Sequence, residues 1–234
     1  MRSLEVHGKN GEGKPRAAAF YDMDGTLVRT NLVHSYLFNA WNSPSIARTV
    51  LRTAGGIARI PAFLAVDKLD RVAFNEMLYA LYDGEYEDRL LELAEDHFEE
   101  VLKPNIYPGA YELIEKAKGK GLHQVIISGS LDFVVAPLVR HLGLDDLITN
   151  KLEFRRGVAT GRIVPPIVAG ASKARIIQEY ARRAGIDILE SYGFSDSYSD
   201  YPMLAVLGRP AAVHPDRELR RAARTFDWPI LDLS

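Results

Sequence analysis

The sequence predicts an α/β fold, a mostly parallel sheet with helices on both faces, interrupted once by an inserted helical segment. Three observations predict it. Short, continuously apolar runs recur, as in "AAAFY" (17–21) and "HQVIIS" (123–128), and suit strands covered on both faces. From residue 110 onward, helical text alternates with such runs, which implies parallel strands joined by crossover helices. Between 32 and 102 the text is helical throughout, with no strand-like run. The 234 residues carry a formal net charge of −2 and 47% hydrophobic content, enough for one such domain with an insert and no need of covalent staples.

Taken in order, residues 1–15 ("MRSLEVHGKNGEGKP") are polar and Gly/Lys-rich. They read as a flexible tail, without the apolar segment of a secretory signal. "AAAFY" is the first strand. "FNEMLYALYDG" and "EDRLLELAEDHFEEVL" are helices of the insert, and "KPNIYPG" (103–109) punctuates its end. "AYELIEKAKGKG" reads as a helix, "HQVIIS" as a buried strand and "LDFVVAPLVRHLG" as a helix. "DLITNKLEFRRGVATGRIV" reads as a strand followed by a hairpin. "SKARIIQEYARRAG" is a helix with Ser172 as its N-cap and Gly185 as its stop. "ILESYGFS", "PAAVH" and "WPILDL" are strands, separated by the helices "YPMLAVLG" and "RELRRAART". The expected boundaries are a core of 16–30 and 104–234, with 31–103 as a helical cap.

Ligands of such sheets bind beyond the carboxyl ends of the strands. The first strand delivers Asp22 and Asp24 there. "HQVIIS" delivers Ser128, followed by Gly129 and Ser130, and "YGFS" delivers Asp196 and Asp200. Lys173 opens the helix before that last strand. Taken singly, "DMDG" reads as a turn, "SGS" as a loop and Lys173 as a solvated helix residue. Taken together, four carboxylates at one rim repel unless a cation sits among them, and oxygen donors without His or Cys select Mg²⁺ or a similar hard ion. An Asp beside such an ion can attack phosphorus, a second can move the proton, and a lysine and a Gly-containing turn can hold phosphoryl oxygens.

The set "DMDGTL" (22–27), "SGS" (128–130), "SKARII" with Lys173 and "SDSYSDYPML" (195–204) resembles the haloacid dehalogenase (HAD) superfamily, in its phosphoserine phosphatase-like branch and closest to the CicA-like members. The resemblance spans residues 17–232 and implies a Rossmann-like core with an inserted cap. It implies Asp22 as nucleophile and Asp24 as general acid/base. It implies Mg²⁺ held by the side chains of Asp22 and Asp196 and the backbone carbonyl of Asp24. Ser128, Gly129 and Lys173 would bind phosphate, with Asp200 and Ser199 behind them. The chain departs from phosphoserine phosphatases in three places. Asn31 stands where they carry a glutamate for the amino group. Arg71 or Asn75 falls near their carboxylate-binding arginine. "SDSYSD" replaces a motif close to "GDGAND". Substrate choice is therefore open among phosphoserine, histidinol phosphate, phosphocholine-like and lipid phosphates. The cap candidates for it are Asn31, Arg71 and Asn75, then His34, Tyr36, Phe74, Tyr79 and Tyr82.

The expected activity is Mg²⁺-dependent hydrolysis of a small phosphorylated metabolite through an aspartyl-phosphate. The alternatives are a phosphotransferase or mutase using the same intermediate, and a receiver-like module phosphorylated on Asp22. The near-neutral charge argues against a nucleic-acid partner. The absence of cysteine fits a cytoplasmic protein without disulfides. No run approaches the roughly 20 apolar residues of a membrane span. In "IARTVLRTAGGIARIPAFLAV" (46–66), Arg48, Arg52 and Arg59 share one helical face. An ordinary pair of cap helices is the favoured reading, with contact to anionic lipid as the alternative. The expected assembly is a monomer or homodimer.

Overall fold

The computed structural model describes residues 17–42 and 70–234. The tail and the arginine-bearing stretch 46–66 lie outside the described residues. No helix among the described residues is long and apolar enough to cross a membrane.

Six strands form one sheet: β1 (Ala18–Tyr21), β2 (His123–Leu131), β3 (Asp146–Asn150), β6 (Tyr192–Ser195), β7 (Arg209–Val213) and β8 (Ile230–Leu231). Their order is β3-β2-β1-β6-β7-β8, and every neighbouring pair is parallel. β1 is central and wholly buried. Its side chains alternate as strand geometry requires. Ala19 and Tyr21 join one apolar layer with Ile114 and Ala117 of α4 (Pro108–Gly119) and Val135 and Leu138 of α5 (Asp132–Leu142). Ala18 and Phe20 join the other, with Ile177 of α6 (Ser172–Ala184), Leu204 of α7 (Tyr201–Ala205) and Leu219 of α8 (Arg217–Thr225). A strand buried on both faces has no polar alternation, which is why "AAAFY" is apolar throughout.

Two local readings of the sequence change. Ser172 does not cap α6. Ala171 occupies the cap, and Ser172 is the first helical residue. Its hydroxyl instead accepts from Ala169 N–H (3.0 Å) and has the carbonyls of Ile167 and Ala169 within reach of its single proton, fastening the incoming loop. "SGS" is not a loop following β2. The strand continues to Leu131, with an irregular register against β3 between Ser128 and Leu131. Gly185 does stop α6, in the left-handed conformation (φ 74°) that glycine adopts without strain.

The insert contributes α1 (Leu32–Trp41), α2 (Arg71–Tyr79) and α3 (Glu87–His97). The antiparallel hairpin β4 (Leu152–Arg155) and β5 (Val158–Ile163) belongs by sequence to the 104–234 stretch. Its free edge nevertheless pairs with the insert. Gly84 N–H donates to Ala159 O (2.9 Å), Ala159 N–H to Glu85 O (2.8 Å) and Glu87 N–H to Gly157 O (2.9 Å). The hairpin thereby satisfies an edge that would otherwise face solvent and ties the insert to the core side.

Candidate active site

The stretch "DMDGTLV" (22–28) builds the rim of the site. Asp22 N–H still donates to Phe194 O (2.9 Å), so the first carboxylate leaves the sheet at a fixed angle. The chain then folds under itself, with Leu27 N–H (2.9 Å) and Val28 N–H (3.1 Å) donating to Met23 O and Gly25 N–H to Val28 O (2.8 Å). Met23, Leu27 and Val28 are fully buried and anchor this turn. The alternating pattern therefore has a mechanical use: apolar residues grip the core while Asp22 and Asp24 face the opening.

Lys173 comes from the first turn of α6. Its Nζ lies 2.6 Å from Asp22 Oδ1 and 2.6 Å from Asp200 Oδ2, and it is 4% exposed. Burial alone would drive its ammonium toward deprotonation, but the Asp200 and Asp22 carboxylates outweigh that and hold it charged. Ser195 Oγ donates to the same Asp200 Oδ2 (2.9 Å), so one carboxylate oxygen receives both the lysine and a hydroxyl and fixes where the lysine sits. Asp24 receives Thr30 Oγ1 (2.8 Å) on one oxygen and Ser130 Oγ (3.3 Å) on the other. Burial pushes its pKa above the ordinary carboxylate value, against the pull of those two hydroxyls.

Asp196 follows β6. Thr26 Oγ1 lies 3.4 Å from both Asp22 Oδ2 and Asp196 Oδ1, so the two carboxylates approach across one hydroxyl. Burial, then repulsion by Asp22 and Asp200, pushes Asp196 up to about 8, and burial likewise pushes Asp22 up. These residues fit a hard divalent cation. All the donors are oxygen, one lysine faces four carboxylates, and two of those carboxylates are held close together in a buried setting that penalises their charge. Among the described residues no cluster of three or more His, Cys, Asp or Glu side chains is built for a metal. A cation here must therefore take main-chain or water oxygens besides Asp22 and Asp196, as the expected use of the Asp24 carbonyl requires.

The close approach of Asp196 depends on Gly25. Gly25 has φ 79°, and a Cβ there would stand 2.2 Å from Asp196 Oδ2. Gly25→Ala should cost about 1–2 kcal/mol for the left-handed backbone alone and also force Asp196 away from Asp22. We expect Mg²⁺ to raise the melting temperature of the wild type but not that of the folded variant. An undiminished Mg²⁺ shift would mean that Asp196 is not a ligand.

A cavity of about 610 Å³ opens onto this cluster. Its lining brings together Asp22, Asp24, Ser128, Gly129, Lys173, Asp196, Ser199 and Asp200 from the core with Asn31, Arg71 and Asn75 from the insert. Ser128 Oγ accepts from Ser130 N–H (3.0 Å), and Ser199 Oγ shares a hydrogen bond with Ser197 Oγ (3.0 Å). Arg71 Nη2 reaches Ser197 Oγ at 3.5 Å. Asn31 caps α1, its Oδ1 accepting from Val33 N–H (3.1 Å) and His34 N–H (3.2 Å). His34 and Phe74 also line the cavity, whereas Tyr36, Tyr79 and Tyr82 do not. Those three are buried together, with Tyr82 in ring contact with both others. Thr26, Thr30, Ser130 and Ser195 hold the acidic groups but were not singled out as site residues from the sequence, because hydroxyls carry little motif signal. Thr26 in "DMDGTL", Ser130 in "SGS" and Ser195 in "SDSYSDYPML" sit inside quoted motifs, and Thr30 does not.

A family model described as haloacid dehalogenase-like hydrolase matches residues 19–205, which include all four acidic positions and Lys173. The chain belongs to the haloacid dehalogenase-like hydrolases. It is 36% identical over 233 residues to a Streptomyces azureus protein named for inhibition of morphological differentiation, covering 97% of this chain and 82% of that one. It is 31% identical over 217 residues to phosphoserine phosphatase SerB1 of Mycobacterium tuberculosis, covering 92% and 70%. Among solved structures, a Bordetella pertussis protein of unknown function superposes with a TM-score of 0.81 at 24% identity, covering 94% of this chain and 99% of that one. The chain is thus a haloacid dehalogenase-like, phosphoserine phosphatase-like hydrolase, an enzyme of the phosphomonoesterase class.

Proposed function

We propose that this protein is a Mg²⁺-dependent phosphatase that hydrolyses a small phosphomonoester through an aspartyl-phosphate on Asp22. The observation that carries the reading is the Lys173 ammonium, bonded at once to Asp22 and Asp200 beneath a cavity that Asp24 also lines. A divalent cation held by the Asp22 and Asp196 side chains and the Asp24 carbonyl would supply charge neutralisation for the phosphoryl oxygens. A carboxylate oxygen of Asp22 attacks phosphorus, and the bond from phosphorus to the alcohol oxygen breaks. Asp24, protonated, gives its proton to that departing oxygen. Asp24 then accepts a proton from water, whose oxygen attacks phosphorus. The Asp22–phosphorus bond breaks, releasing inorganic phosphate and restoring the carboxylate. Lys173 and the Ser128–Gly129 end of β2 hold the phosphoryl oxygens through both steps.

Among the described residues that line the cavity from the insert there is no carboxylate, and Asn31 spends its oxygen on capping α1. From those described insert residues an ammonium on the leaving group meets no carboxylate. We therefore rank phosphoserine behind phosphomonoesters with an uncharged leaving group. The absence of cysteine supports a cytoplasmic location, and a monomer or homodimer remains the expected assembly. A panel running from phosphoserine and histidinol phosphate to phosphocholine and lysophosphatidate tests the reading. We expect Mg²⁺-dependent release of phosphate from at least one member without any acceptor alcohol, and its loss on chelation. Turnover only in the presence of an acceptor would make the enzyme a phosphotransferase, and turnover in chelator would remove the metal.

A further inference from the structure

Tyr79 was a candidate substrate contact, yet its hydroxyl points elsewhere. It donates to the backbone carbonyl of Gly129 at 2.7 Å. The same carbonyl accepts from Asn150 Nδ2 at 2.8 Å, at the end of β3. Both lone pairs of one carbonyl are thus taken, one from the insert and one from the core. Asn75 lies one helical turn before Tyr79, on the same face of α2. Its Nδ2 donates to Val168 O (3.4 Å), which also accepts from Asn150 Nδ2 (3.3 Å), while Val168 N–H donates to Asn150 Oδ1 (2.8 Å). Asn150 is therefore the centre of a lattice that joins α2, the end of β2 and the loop before α6. It is completely buried, and so is the contact surface of α2, with Asn75 2% and Tyr79 3% exposed. Gly129 permits the approach, since a Cβ there would stand 3.0 Å from Asn75 Nδ2 and 3.3 Å from Val168 O.

The consequence falls on Ser128. Its Oγ already accepts a hydrogen bond from Ser130 N–H, the amide of the very peptide whose carbonyl Tyr79 and Asn150 hold. With that peptide unable to rotate, the acceptor side of the Ser128 hydroxyl is committed, and its proton is left to donate into the cavity that Ser128 lines. We propose that Tyr79 and Asn150 are positioning residues for phosphate binding: together they lock the Gly129–Ser130 peptide so that the Ser128 hydroxyl donates to a phosphoryl oxygen. This rests on the phosphatase reading above. It also makes seating of the insert and occupancy of the phosphate site mutually reinforcing, because one hydrogen bond serves both. A tyrosine that merely packed the cap would need its ring but not its hydroxyl.

The test is the affinity of the full-length protein for inorganic phosphate in the presence of Mg²⁺, measured by calorimetry, in Tyr79→Phe. The ring and its packing remain, and the fold is checked by melting. Loss of the hydroxyl should weaken phosphate binding about three- to tenfold, the range of one neutral hydrogen bond. Tyr180→Phe is the comparison. It deletes another buried hydroxyl, which donates to Asp146 Oδ2 (2.9 Å) at the amino end of β3, and should leave phosphate affinity unchanged. Unchanged affinity in Tyr79→Phe, or equal weakening in both variants, overturns the inference while leaving the phosphatase reading standing. A wild-type protein that binds no phosphate overturns both.

Discussion

Asp22→Asn should abolish phosphate release, by roughly 10⁴-fold or more, without unfolding the protein. The amide is the same size as the carboxyl and can still accept from Lys173, but its oxygen does not form an acyl-phosphate. The structure also fixes the sign of the effect on stability. Four carboxylates face one ammonium in a buried site, and burial already raises the pKa of Asp22. Removing one negative charge relieves part of that repulsion, so the metal-free melting temperature should be unchanged or higher. The Mg²⁺-induced rise in melting temperature should shrink at the same time, because one ligand is lost. A variant that retains substantial turnover, or one that is strongly destabilised without metal, contradicts this assignment of Asp22.

Lys173 should show the opposite pattern. Its Nζ is held at 2.6 Å from two carboxylates while the side chain is almost fully enclosed. Lys173→Met removes the ammonium that pairs with both Asp22 and Asp200 and leaves each buried carboxylate with only a hydroxyl partner, Thr26 or Ser195. Breaking a buried pair in this way costs about 3–5 kcal/mol. We expect a large fall in melting temperature, partly restored by Mg²⁺, together with loss of phosphate affinity. Lys173→Arg separates charge from geometry. The guanidinium keeps the positive charge, so much of the stability should return. Its planar fork does not fit the place of a compact ammonium between Asp22 and Asp200, so turnover should stay at least about tenfold down. If Lys173→Arg is fully active, the lysine acts as a bulk charge and its geometry is unimportant.

Much of this arrangement was legible in the text, for identifiable reasons. A strand buried on both faces must be apolar throughout, so each abrupt change from apolar to acidic marks a carboxyl end, and "AAAFYDMD" and "YGFSDSYSD" both show one. Parallel connectivity sends all such ends to one rim, which brings Asp22 and Asp196 together although 174 positions separate them in the chain numbering. What the sequence does not carry is pairing through space. Nothing near Lys173 in the chain indicates that it bridges Asp22, 151 residues away, and Asp200, 27 away. Thr30 and Ser130, which hold the two oxygens of Asp24, belong to residue types common in any loop. Asn150 ends an edge strand and looks like a turn residue, yet it bonds to both Gly129 and Val168, which in turn receive Tyr79 and Asn75 of the insert. The pairing of the β5 edge with residues 84–87 was invisible as well, since backbone hydrogen bonds place no demand on side-chain identity.

The cap candidates divide along the same line. Asn31, Arg71 and Asn75 reach the cavity wall, but each is also tied structurally: Asn31 to the start of α1, Arg71 toward Ser197, Asn75 to Val168. Residues that face a ligand and also hold the fold cannot be sorted by residue type alone. Tyr36, Tyr79 and Tyr82, the second-rank candidates for substrate contact, are instead buried together in the insert, because an aromatic side chain at helical spacing most often fills a core.

In the proposed mechanism Asp22 carries the phosphoryl group during turnover, and trapping the group on that residue tests this outright. The protein is mixed with Mg²⁺ and a substrate labelled in its phosphoryl group, quenched in acid within one turnover, digested and mapped. Label is expected on the peptide containing Asp22, released by hydroxylamine as an acyl-phosphate should be, and absent in Asp22→Asn. Label on another residue, or rapid hydrolysis with no label on the protein at any time, would contradict it.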